Sequence, residues 1–122
     1  GFAVHVSGNC DAKKGFYTAG PILSPVPGRR HGYLAKDGPL AGDLPNQFAG
    51  GDGHLRASVV TNAFTLGGGR RSIFDRDGAS IIMTGKADDY VTQPAGAAGD
   101  RIACGVIVRT AGPRRSVRGP RK

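Results

Sequence analysis

The sequence predicts an all-β domain, on three observations. Apolar residues come in short runs between frequent turn signals. Glycine and proline are abundant, at 21 and 8, and tryptophan is absent. No apolar stripe at i, i+3, i+4, i+7 extends beyond two helical turns, and no repeat period is present. A chain of 122 residues allows one small domain.

Taken in order, Phe2 to Val6 alternates weakly and reads as a strand. Residues 7–53 read mostly as loop, because Gly and Pro recur too often for strands. A loop this long in a small domain is expected to be functional or disordered. Gly51-Asp52-Gly53 forms a turn. His54 to Phe64 reads as a strand with Leu55, Ala57, Val59 and Thr61 on one face. Leu66 to Phe74 reads as a shorter strand, interrupted by Gly67-Gly68-Gly69. Asp75-Arg76-Asp77-Gly78 is a hairpin-type turn. Ala79 to Thr84 is a buried strand, since Ser80-Ile81-Ile82-Met83 is too apolar to face water. Residues 85–100 form a second long loop, and Arg101 to Arg109 is the last strand. The expectation is five strands and two long loops.

The net charge of +8 is concentrated at the C-terminal end. Arg109, Arg114, Arg115, Arg118, Arg121 and Lys122 lie in a stretch without acids, and the rest of the chain carries only +2. Such a tail can bind nucleic acid or an anionic surface. Without interleaved aromatic residues for base stacking, it reads instead as a solvated, disordered end. Nucleic acid is therefore not an expected partner. No apolar run approaches the roughly 18 residues of a membrane helix. Cys10 and Cys104 stand far apart and outside any CxxC pair, so they do not make a zinc site alone. One long-range disulfide, suited to an oxidising compartment, and two free thiols both fit the spacing. The chain begins without an initiator Met or a signal-peptide pattern, so any leader is expected to have been removed or to lie outside it.

Four segments, in the right order, resemble the copper/zinc superoxide dismutases, especially the bacterial secreted type. Gly1-Phe2-Ala3-Val4-His5 is similar to that family's G-F-H-x-H strand. Residues 38–46, GPLAGDLPN, are similar to its G-P-H-A-G-D-L-P-N zinc loop. Ala87-Asp88-Asp89-Tyr90 resembles the start of its electrostatic loop. Residues 95–107, AGAAGDRIACGVI, resemble its closing signature, G-N-A-G-x-R-x-A-C-G-V-I. The resemblance implies a Greek-key β-barrel, a flattened sandwich of two sheets. Residues 1–108 would form the superoxide dismutase-like domain and residues 109–122 the basic tail. Residue 1 would fall at the family's fourth strand, so three strands would be lacking, through a clipped chain or a truncated gene. The retained strands would turn Val59, Ile81, Met83, Ile102 and Val106, or their immediate neighbours, toward the interior. The resemblance also implies a Cys10–Cys104 disulfide and a periplasmic or secreted location.

Carried over position by position, the family's copper ligands fall on Ala3, His5, Ile22 and Thr84. Its zinc ligands fall on Ile22, His31, Leu40 and Asp43. Copper cycling suits imidazole nitrogen, and alanine, isoleucine and threonine cannot replace it. Zinc wants four ligands, and only His31 and Asp43 remain. His5 alone reads as a packed histidine. Asp88 matches the carboxylate that joins the copper and zinc histidines in the family. With the histidines it would orient replaced, it reads as a loop cap. Arg101 matches the substrate-steering arginine and, without copper, is expected to sit idle, bonding loop carbonyls. His54 matches no ligand and reads as surface. The expectation is a superoxide dismutase-like binding or structural module with little or no activity. It would bind no cofactor, or at most weak zinc, and take a protein partner or a second copy. One alternative is an active enzyme with a different metal set drawn from His5, His31, Asp43 and His54. Another is a non-functional remnant.

Overall fold

The computed structural model describes residues 1–108, apart from 68, 70, 75 and 76. Among them are four strands: β1 (Phe2–His5), β2 (Asp43–Leu44), β3 (Ala79–Thr84) and β4 (Arg101–Ile107). They form one antiparallel sheet in the order β2-β1-β3-β4. The only helical elements described are two single 3-10 turns, Ala12–Lys14 and Tyr17–Ala19. No described helix is long and apolar enough to cross a membrane.

Strand alternation gives this sheet two distinct faces. On β1, Phe2 and Val4 point one way, and Ala3 and His5 the other. The register places Val4 opposite Ile81 and Ala3 opposite Ile82. The first face carries the core, where Val4, Leu23, Leu44, Ile73 and Ala79 are buried together. Phe2, Phe64, Ile81 and Ile107 pack around them. The second face, with Ala3, His5 and Ile82, carries the candidate site. Ile81 faces the core as expected. On β4, Ala79 pairs with Ile107, so Ile107 rather than Val106 turns inward. Ile102 is exposed, next to a register shift between Met83 and Thr84.

Among the described residues, the strands expected at 54–64 and 66–74 do not form. A strand is defined by its ladder, and among the described residues none forms a ladder with 54–64. Of the face expected to point inward, Leu55 and Val59 are half-buried but Ala57 and Thr61 are exposed. In the next segment a single parallel bridge, Thr65 with Ser72, replaces the strand and buries Ile73. The described residues hold four strands, against the five expected. β2 lies inside the expected loop, too short for any periodicity to reveal. The turn expected at 75–78 and the tail at 109–122 fall wholly or partly outside the described residues.

Candidate functional site

The site is built where two long loops fold over the second face of the sheet. The first loop returns alongside β1. Val6 N donates to the Pro21 carbonyl and Leu23 N to that of Val4, and His5 bridges to Ile22. The second loop closes over the same region, with Lys86 N bonded to the Ala98 carbonyl and Asp89 N to that of Gly96. Between them lies a cavity of about 160 Å³. Ala3, His5, Ile22 and Thr84 all line it, together with His31, Asp88 and Arg101. Seven of the positions singled out in the sequence thus meet in one place. Leu40 lies elsewhere, lining a different surface hollow.

His5 is 4% exposed. Its Nδ1 donates to the Gly20 carbonyl at 2.8 Å. Burial, with a smaller contribution from the charge of Arg101, lowers its pKa to about 4 against the pull of that carbonyl, so the ring is neutral at physiological pH. Its neighbours around the cavity offer a methyl group at Ala3, a branched alkyl chain at Ile22 and a hydroxyl at Thr84. Thr84 Oγ1 is directed to the Lys86 carbonyl at 3.4 Å. One imidazole among four positions does not make a copper site, because redox copper is held by convergent nitrogen donors.

His31 is bonded at both ring nitrogens. Its Nδ1 meets Asp43 Oδ1 at 2.6 Å, and its Nε2 meets Asp88 at 2.8 and 2.9 Å from the two carboxylate oxygens. Desolvation is the largest single influence on this ring and opposes its charge. The hydrogen bonds and charges of Asp43 and Asp88 together outweigh it and push the pKa up to about 9. Asp43 Oδ2 accepts from Gly32 N and Leu40 N, both at 2.9 Å. These residues do not fit zinc. Ligands at about 2.0–2.1 Å in a tetrahedron stand roughly 3.3 Å apart, whereas the His31–Asp43 contact is a direct charged hydrogen bond. The two carboxylates lie off different ring nitrogens, and two of the four family positions are the side chains of Ile22 and Leu40. His54 pairs instead with Asp52 at the surface. Among the described residues no group of three or more His, Cys, Asp or Glu side chains is placed to hold a metal ion.

Asp88 is more than a loop cap. Its Oδ1 does accept from Tyr90 N at 2.7 Å, but the folded loop also brings it to His31. Arg101 bonds a loop carbonyl, that of Phe16 at 3.0 Å, and lies 4.6 Å over the Tyr17 ring. Cys10 and Cys104 form a disulfide that ties the first loop to β4. Three supporting residues escaped the sequence reading. Gln93 clamps the His31 backbone, accepting from its N–H at 2.9 Å and donating to its carbonyl at 2.7 Å. Asn46 pairs with the Asp88 backbone in both directions. Tyr33 donates to the Asp43 carbonyl and packs edge-on against Tyr90. Asn46 lay within a recognisable segment, but nothing in the sequence marked Gln93.

Residues 1–107 match the family model described as copper/zinc superoxide dismutase. The chain is 41% identical over 105 residues to a copper-zinc superoxide dismutase of Caulobacter vibrioides, covering 84% of this chain and 60% of that protein. It is 37% identical over 111 residues to the superoxide dismutase-like protein YojM of Bacillus subtilis, covering 88% of this chain and 55% of that protein. A crystal structure of a SOD-like protein from Bacillus subtilis superimposes with a TM-score of 0.77 at 38% identity, covering 88% of this chain and 71% of that one. The chain spans about three fifths of the length of the curated relatives it matches.

Proposed function

This chain belongs to the copper/zinc superoxide dismutase family, and we propose that it has kept the family's β fold while giving up its redox chemistry. It acts as a binding or structural module, with a second copy or another protein as partner. The observation that carries this reading is the cavity shared by Ala3, His5, Ile22 and Thr84. Of these four positions only His5 offers an imidazole, where copper turnover needs several, and His31, which also lines the cavity, has both ring nitrogens bonded to Asp43 and Asp88. Arg101 supports the reading, since its guanidinium is engaged with Phe16 and Tyr17. The Cys10–Cys104 disulfide supports a periplasmic or secreted location, because such bonds persist in oxidising compartments.

The test is metal content and dismutase activity of the full natural protein after copper and zinc have been supplied and excess removed. The expected result is no stoichiometric copper and no activity above free-metal background. Copper near one equivalent per chain, with activity that survives mild chelation, would contradict the proposal.

A further inference from the structure

We infer that His31 itself fastens the loops of this site, in the position where relatives with a full ligand set would use a metal ion. Three separate stretches of chain meet at this ring. Asp43 comes from β2, Asp88 from the second long loop, and His31 from the first. A carboxylate oxygen accepts and does not donate, so both ring nitrogens serve as donors, one to each aspartate. The side chain is 2% exposed, as is that of Asp43, and Asp88 is nearly as buried. The backbone of His31 is held at both its N–H and its carbonyl by Gln93. Asp43 extends the network to Gly32 and Leu40, and Asn46 extends it to Asp88.

No side-chain donor or acceptor of this network is buried without a partner; among the side chains of the described residues only Ser80 Oγ is. A network satisfied in this way holds its geometry without a further ligand, because each group already has the hydrogen bonds it lost on leaving water. Zinc could enter only by opening the 2.6 Å contact between His31 and Asp43 and taking the proton from a ring nitrogen. It would gain only two protein ligands in exchange. The side chain of Leu40 points to another hollow, and only its backbone N–H serves the network.

The test uses the full, disulfide-bonded chain, stripped with a chelator and then offered zinc ions alone. Amide hydrogen exchange is followed at His31, Gly32 and Leu40. These amides are expected to stay protected in the stripped protein, and zinc is expected neither to slow them further nor to remain bound after dialysis. His31→Asn is expected to speed exchange at Gly32 and Leu40 by about tenfold or more, without rescue by zinc. Asp88→Asn keeps an oxygen for the Tyr90 amide and is the milder variant. It is expected to speed exchange at His31 and Gly32 about threefold or more. One equivalent of retained zinc with slower exchange would overturn the inference, as would unchanged exchange in either variant. The wild-type comparison decides even where a variant fails to fold. Retained zinc would leave the proposed loss of dismutase activity standing, because that rests on the copper positions.

Discussion

His5 and His31 lie on the same cavity and respond to it in opposite ways. His5 has one neutral carbonyl partner, so burial dominates and the ring stays neutral. His31 has two carboxylates, which together overcome the desolvation and keep it charged. The consequences for stability follow from linkage. His31 has its folded pKa raised from about 6.5 in the unfolded chain to about 9. Its stabilisation is complete below the lower value and is lost as pH rises through the upper one. His5 is held at about 4 when folded, so its contribution is complete above about 6.5 and shrinks as pH falls. Melting temperature should therefore fall on both sides of neutrality. In thermal melts from acid to alkaline pH, His31→Asn should flatten the alkaline fall, and His5→Gln should flatten part of the acid one. A wild-type melting temperature that held steady through the alkaline range would contradict the assignment of His31.

At the scale of elements, the loops matter more than the strands, since they carry most of the site and are held by a few discrete ties. Gly96 shows how close the packing is. It has φ +77°, and a Cβ there would strike the Asp88 carboxylate and stand 3.0 Å from His31 Nε2. Gly96→Ala should cost about 1–3 kcal/mol through strain and displacement of Asp88, measured by denaturant unfolding. An unchanged midpoint would show that the loop yields freely. The disulfide is the covalent tie, joining residues 94 apart in sequence. In the chain-entropy model, closing a loop of this length contributes about 4–5 kcal/mol. A Cys10→Ser, Cys104→Ser double variant should therefore melt well below the oxidised wild type. Equal melting temperatures would mean that the remaining contacts hold the loop unaided.

Across the whole molecule, the two faces of the sheet are finished to different degrees. The site face is covered by loops, whereas the core face opens into a cleft of about 560 Å³. Phe2, Val4, Leu44, Ile81 and Ile107 line it from the sheet, facing Val59, Val60, Phe64 and Leu66. Fully burying a large apolar side chain is worth roughly 1.5–3 kcal/mol, and a typical domain holds about 5–15 kcal/mol in total. Several incompletely buried chains therefore weigh heavily. The sheet edges at β2 and β4 add surfaces that invite pairing with another chain. The 122-residue chain, expressed as such, should be marginally stable and self-associate, which light scattering and thermal melts would register. A cooperative monomer melting above about 60 °C, beyond the middle of the mesophile range, would contradict this.

The family, the all-β class and strand β3 were legible in the sequence because each depends on local pattern or on motifs kept in order. Strands at 54–64 and 66–74 were over-read, because alternation reports a suitable side-chain pattern while a ladder needs a neighbour that the segment itself does not contain. β2 was missed for the converse reason: two residues carry no period, and they become strand only by lying against β1. The network around His31 belongs to the tertiary structure alone. Asp88 and Gln93 stand 57 and 62 residues from His31, and no local signal links them. Folding brings two carboxylates to one buried ring, and that proximity decides its charge and the partners left to it.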